Sequence, residues 1–90
     1  MKKHPVTVEG FDGSLQELAQ KILRMRYDKA EEFFSYCVAE LERQADGDRK
    51  RERPMLATRL ELASETARQL TREMQDIFLL CAPHMQDELG

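Results

Sequence analysis

The fold is decided by residues 56–81, which read LATRLELASETARQLTREMQDIFLLC. Apolar residues recur here at alternating spacings of four and three, and this phase lasts for nearly four heptads. The pattern predicts a long amphipathic helix that packs along a neighbouring helix. Its predicted seam consists of Leu56, Leu60, Ala63, Ala67, Leu70, Met74, Ile77 and Cys81.

Proline residues predict both ends of this helix. Pro54 suits the first helical turn, where its missing N–H costs nothing. Pro83 disfavours helical geometry at Ala82 and should stop or kink the helix there. We therefore expect this helix over about residues 54–82.

A second long helix is expected before it, over about residues 14–46. Ser14 and Glu17 have the spacing of a capping box, in which each side chain accepts from the other residue's amide. No Gly or Pro interrupts residues 15–45, and Gly47 should end the helix. The predicted seam of this helix consists of Leu23, Tyr27, Ala30, Phe34, Cys37 and Leu41.

A break near residue 27 is the alternative to one continuous helix. Asp28 and Glu31 form a second cap-like pair, which would suit the start of a new helix. The seam runs through this point in phase, however, and a turn would ruin that phase. We expect the continuous helix. In the alternative, the first segment folds back as the third helix of a monomeric domain.

The polar connection over residues 46–53 predicts a long antiparallel helical hairpin. Paired residue numbers should then sum to about 100, which places Phe34 near Ala67 and makes large side chains meet small ones. The same register puts Cys37 about 27 Å along the helix from Cys81. That separation is too large for a disulfide.

Apolar residues outside the two seams predict an interface. One hairpin cannot cover them, and an exposed apolar patch of this extent usually marks an interaction surface. The simplest way to cover this patch is to pair two hairpins about a two-fold axis, which gives a four-helix-bundle homodimer. The candidate interface residues are Leu15, Leu18, Ile22, Met25, Phe33, Leu62, Phe78, Leu79 and Leu80.

Composition predicts a soluble, cytoplasmic protein. The chain is 41% hydrophobic and 34% charged, which is too apolar for a disordered chain and too charged for a membrane. Its net charge of −3 lacks the positive excess that non-specific nucleic-acid binding needs. No apolar signal-peptide segment follows Met1. We expect an extended arm over residues 1–13 and one helical domain over residues 14–90.

Four basic residues in the predicted connection form a candidate site for an anion or an acidic partner. Acidic residues in or beside the same segment reduce its net charge to about one positive unit, and no aromatic residue is there to stack on a base. We expect a solvated tip, with weak nucleic-acid or anion binding as an alternative. The four bases are Arg49, Lys50, Arg51 and Arg53.

Residues 73–76 form an E-x-x-D sequence, which is similar to half of the Mg²⁺ motif of the all-α nucleotide pyrophosphohydrolases. The resemblance implies a magnesium-dependent nucleotide hydrolase. The E-x-x-E half of that family's motif is missing on the other helix, and exposed ion pairs with Arg26 and Lys29 explain the acidic residues without a metal. The carboxylates concerned are Glu31, Glu32, Glu73 and Asp76.

No other pattern in the chain predicts catalysis or a cofactor. Its two His and two Cys residues do not have the spacing of zinc ligands. The sequence contains no Ser-His-Asp arrangement and no Gly-rich phosphate loop. We therefore expect a non-enzymatic protein-interaction or scaffold module that acts as a helical homodimer.

Overall fold

The computed structural model describes residues 4–84, and these form three α-helices without any strand. The helices are α1 (Leu15–Leu23), α2 (Tyr27–Lys50) and α3 (Pro54–Cys81). The predicted all-α class is confirmed, as is the packing of two long helices against each other. The tail after His84, which belongs to the predicted domain of residues 14–90, lies outside the described residues, as do residues 1–3.

The bounds of α3 agree with the proline prediction. Pro54 occupies the first turn of the helix. The α-helix ends at Cys81, and a short 3₁₀ turn over Ala82–His84 replaces it around Pro83. The start at Pro54 and the stop before Pro83 therefore agree with the missing N–H of proline, but Ala82 keeps helical geometry, with φ of −50° and ψ of −42°, contrary to the expectation for the residue before Pro83.

The first predicted helix is not continuous. Helix α1 ends at Leu23, and Arg26 has an extended backbone with ψ of 139° before α2 begins at Tyr27. The guanidinium of Arg26 donates to both carboxylate oxygens of Asp28, from Nε at 2.6 Å and from Nη2 at 3.0 Å. The hydrogen bond from Arg26 lowers the pKa of Asp28, and a carboxylate in the first turn favours the positive end of a helix.

A continuous first helix was the wrong prediction, because only one step of the apolar spacing crosses the break. The seam from Tyr27 to Leu41 lies entirely within α2, so only the spacing between Leu23 and Tyr27 opposed a turn. Leu23 instead ends α1 and is exposed. One four-residue step is weak evidence beside a local ion pair at a helix start.

Helix α1 begins as predicted but does not cover the hairpin. The amide of Glu17 donates to Ser14 Oγ at 3.1 Å, and the amide of Ser14 donates to Glu17 Oε1 at 3.3 Å. The apolar face of α1 is only partly covered, with Leu18 and Ile22 half-buried and Leu15 exposed. No Cα atom of α1 lies within 8 Å of one in α3, both helices being described in full.

The segment before α1 contains a turn. In residues 4–13, the amide of Phe11 donates to the carbonyl of Val8 at 3.2 Å, and no strand is formed. Gly10 sits at the third position of this turn with φ of +84°, a conformation that glycine adopts without strain. The predicted arm is therefore not extended throughout.

The bend between α2 and α3 is shorter than predicted, because α2 passes through Gly47 and ends at Lys50. The amide of Arg53 donates to the carbonyl of Asp48 at 2.8 Å, and the amide of Glu52 donates to the carbonyl of Arg49 at 3.1 Å. This pair of bonds is a Schellman motif, whose left-handed position glycine usually occupies. Here Glu52 occupies it with φ of 60°.

The shorter bend changes the pairing register. A bend centred on Glu52 implies that residues at equal depth have numbers that sum to about 104 instead of 100, whereas the long side chains of the ion pairs Arg49–Glu61 and Arg68–Glu42 join residues whose numbers sum to 110. Ala30 then lies level with Met74, and Ala45 with Leu60. Ala30 is fully covered and Met74 is 5% exposed, so a small residue of one helix again meets a large one of the other.

The seam on α2 follows the prediction more closely than the seam on α3. On α2, the predicted positions from Tyr27 to Leu41 are buried or half-buried, and buried Val38, Ala45 and Asp48 extend this face. On α3 the contact surface is rotated by one residue. Its covered positions are Ala57, Leu60, Ser64, Ala67, Thr71, Met74, Phe78 and Cys81, whereas Leu56, Ala63, Leu70 and Ile77 are partly exposed.

The conformation of Glu52 predicts a stabilising substitution. Glu52→Gly should raise the free energy of unfolding by about 1 kcal/mol, because glycine has no Cβ to clash in the left-handed region. Urea denaturation followed by circular dichroism, at one fixed protein concentration, measures the change. Glu52→Ala is the control, since it removes the carboxylate and keeps the Cβ. An equal gain in both variants would contradict the backbone explanation.

Burial of Met74 predicts a second stability change. Met74→Ala should lower the free energy of unfolding by about 2–4 kcal/mol, because it leaves a cavity between α2 and α3. Met55, which is 85% exposed, provides a control of the same residue type. Met55→Ala should change stability by no more than about 0.5 kcal/mol. Similar losses in the two variants would argue against this packing register.

Candidate protein-interaction surface

One flank of the hairpin is closed by ion pairs between α2 and α3. Arg49 pairs with Glu61, and Arg68 Nη2 donates to Glu42 Oε2 at 2.8 Å. All four side chains are about half exposed, so each pair adds little to stability. An open groove of about 530 Å³ lies along this flank and carries Glu42, Asp46, Glu61 and Glu65 among its lining residues.

The opposite flank of α3 is apolar and open. Leu56, Ala63, Leu70 and Ile77 recur at every seventh residue and so form one column along the helix. The exposed fractions of the three large residues are 39%, 42% and 37%, respectively. Helical spacing places this column on the side of the seam away from the ion-paired Glu61 and Arg68. Within residues 4–84, the column is thus left without a partner.

Helix α2 extends this apolar surface. Phe33 and Cys37 lie on the flank of α2 away from Glu42 and Arg49, which is the same side of the hairpin as the apolar column. Phe33 is 38% exposed and packs edge-on against Phe34, with ring centroids 5.5 Å apart. Burial raises the pKa of the Cys37 thiol. We call the surface formed by Phe33, Cys37, Leu56, Ala63, Leu70 and Ile77 the open face.

Small residues on α3 explain why the open face exists. The hairpin buries the column that contains Ala57, Ser64 and Thr71, whose short side chains allow a close approach of α2. The hydroxyls of Ser64 and Thr71 donate within the helix, to the carbonyls of Glu61 and Ala67, each at 2.8 Å. Because their polar groups are satisfied locally, they fit the contact, and the larger residues of the neighbouring column remain at its edge.

Sequence reasoning interpreted the open column as hairpin core because its residues are the most apolar on α3. The missed signal was the neighbouring column, in which Ala57, Ser64, Thr71 and Phe78 also recur at every seventh residue. Phe78, predicted outside the seam, is half-buried within it. Either column can pack beside the column of Leu60, Ala67 and Met74, and the structure uses the one with the smaller residues.

The remaining predicted interface residues lie elsewhere. Leu15, Leu18, Ile22 and Met25 belong to α1 or to the turn that follows it. On α3, Leu62 faces the acidic groove, whereas Leu79 and Leu80 are exposed near the carboxyl end. These positions therefore belong to at least two surfaces besides the open face.

The predicted basic cluster is partly neutralised. Arg49 pairs with Glu61, and Arg53 Nη1 lies 3.3 Å from Asp48 Oδ1. Lys50 and Arg51 are exposed at the tip of the bend. The bend therefore exposes two cations that have no ion-pair partner within residues 4–84, instead of the continuous patch of four that was predicted.

The four carboxylates of the hydrolase resemblance are not assembled as one site. Glu32 accepts from Lys29 Nζ at 3.4 Å and from Tyr36 Oη at 3.3 Å. Glu73 and Asp76 are exposed, and Glu31 is half-buried. Within residues 4–84, no group of three or more potential metal-ligating side chains converges, and the predicted pairs of Glu73 with Arg26 and Lys29 are not made.

The cysteines lie in different parts of the fold. Cys37 is half-buried in α2, Cys81 is half-buried at the end of α3, and both are free thiols. No helix within the described part of the chain has the length and apolar character needed to cross a membrane. No protein family, curated protein or solved structure matches this chain.

Proposed function

We propose that this chain is a non-enzymatic protein-interaction or scaffold module that acts as a helical homodimer. The observation that carries the proposal is the open face, where a heptad column of α3 and two residues of α2 remain partly exposed. Large apolar side chains that recur over three heptads on one flank are typical of a helix that packs against a second neighbour. A second hairpin supplies that neighbour.

The length and shape of the open face favour a helical partner. From Leu56 to Ile77 the column extends about 32 Å at 1.5 Å per residue. A surface of this length and regular spacing matches another long helix, whereas a small ligand would need a concave pocket. The pairing of two hairpins then completes a four-helix bundle with an apolar centre.

Helix α1 is the second element that supports an interaction role. Its apolar residues Leu15, Leu18 and Ile22 share one face, and its opposite face carries polar residues such as Glu17 and Lys21. This face is only partly covered by the rest of the described chain. An amphipathic helix of this kind can dock into an apolar groove of another protein, and we assign the scaffold role to it.

Dimer formation is tested by light scattering coupled to size-exclusion chromatography. We expect a mass of about twice the 10.5 kDa of one chain at micromolar concentration. Leu70→Arg should produce a monomer, because it places a charge in the apolar interface.

The matched control is Gln69→Arg, which adds the same charge one residue away on the outward side of α3. This variant should remain dimeric. A wild-type chain that is strictly monomeric at tens of micromolar would remove the homodimer from the proposal. Equal behaviour of the two variants would remove the open face as its interface.

A further inference from the structure

We infer that two copies pair α3 against α3 in antiparallel orientation, about a two-fold axis that passes between Thr66 and Ala67. The inference rests on the homodimer proposed above and specifies its surface and register. Two independent features of the chain support this axis, namely the sizes of the apolar residues and the charges beside them, and the level of Cys37 provides a test of it.

The sizes of the residues in the open column select the register. An axis at this level places Ala63 opposite Leu70 of the second copy, and Leu56 opposite Ile77 of the second copy. All four positions then find partners, and each alanine meets a leucine. A shift of one heptad in one direction sets two Ala63 residues face to face and leaves a void. The opposite shift sets two Leu70 residues against each other and leaves Leu56 unpaired.

The charges beside the column agree with the same axis. Arg59 and Glu73 lie on the outer edge of the open column, are exposed, and form no ion pair within residues 4–84. The axis places Arg59 of each copy within one residue, or about 1.5 Å along the helix, of the level of Glu73 in the other. Two symmetric ion pairs of opposite sign can therefore form across the interface, with Thr66 opposite itself between them.

The hairpin register also determines which residues of α2 lie at the level of the two-fold axis. Because level residues have numbers that sum to about 104, the axis meets α2 between Cys37 and Val38. Cys37 lies on the open side of α2, so the two Cys37 residues face each other beside the axis. Helices packed 8–10 Å apart bring Cα atoms at facing positions within about 7 Å of each other, which is the upper limit for a disulfide. The two Cys81 residues are instead roughly 40 Å apart.

The main competing arrangement sets α3 of one copy over α2 of the other. At the hairpin register, Leu56 would then lie level with Asp48, at the polar end of α2, and Ala63 would lie level with Leu41. Glu40, which pairs with Arg43 at 2.7 Å, lies one heptad after Phe33 on the open side of α2 and would adjoin the apolar column. The two Cys37 residues would occupy opposite corners of the bundle in this arrangement. The antiparallel α3 pairing avoids both polar contacts.

Oxidative cross-linking of the natural cysteines tests the axis. Each variant is oxidised with copper phenanthroline at about pH 8.5, because burial raises the pKa of Cys37 and the thiolate is the reacting species. Two Cys37 thiols lose two protons and two electrons to the oxidant and form one disulfide. Cys81→Ser should give a covalent dimer on a non-reducing gel that reductant reverses. Cys37→Ser should give none.

A charge exchange provides the second measurement. Glu73→Arg should weaken dimerisation roughly three- to tenfold in sedimentation equilibrium, because Arg59 then faces a like charge. The double variant Arg59→Glu with Glu73→Arg should restore the wild-type dissociation constant within about twofold. Glu65→Arg is the matched control, as it makes the same charge change on the other flank of α3 and should leave dimerisation unchanged.

The outcomes separate this inference from the proposed function. A dimer that shows neither the Cys37 link nor rescue by charge exchange overturns the axis and retains the homodimer. A link through Cys81 in the Cys37→Ser variant also overturns the axis. A monomer in light scattering overturns both.

Discussion

The close approach of α2 and α3 at small side chains is the constraint on which the rest of the structure depends. Ala30 and Ala57 are fully covered, and Ser64 is almost so. Where such residues line the contact, two helices come close enough to exclude water along their length. Leu56 and Leu70 belong to the neighbouring column of α3 and remain on the flank of this contact. The open face is therefore a consequence of how the hairpin closes.

The bend then determines which residues lie at the same level. Its Schellman motif places Glu52 at the centre and keeps Asp48 and Arg53 in contact through both backbone and side chain. A helix end defined by hydrogen bonds in this way leaves little freedom for one helix to slide past the other. Cys37 consequently lies level with Ala67, and the proposed two-fold axis depends on this geometry as much as on the apolar column.

The prediction of the fold was most accurate where local interactions decide the structure. The capping box at Ser14, the start at Pro54 and the stop before Pro83 each depend on a few neighbouring residues, and all are present. The open face was located only in part. The apolar column was recognised from its spacing, but its residues were placed in the hairpin core, because heptad spacing identifies an apolar stripe without showing which neighbour covers it.

By itself, the sequence determined the helical class, the amphipathic character of each helix and the ends of α3, because backbone geometry and side-chain periodicity are local properties. Only the tertiary structure decided the break before Tyr27, the extension of α2 past Gly47 and the rotation of α3 that covers Ser64 instead of Ala63. The last of these depends on how closely two helices distant in sequence can pack, and the first two depend on competition between helix propagation and that packing. Helix propagation depends on neighbouring residues and packing depends on residues distant in sequence, so no single stretch of sequence determines the balance between them.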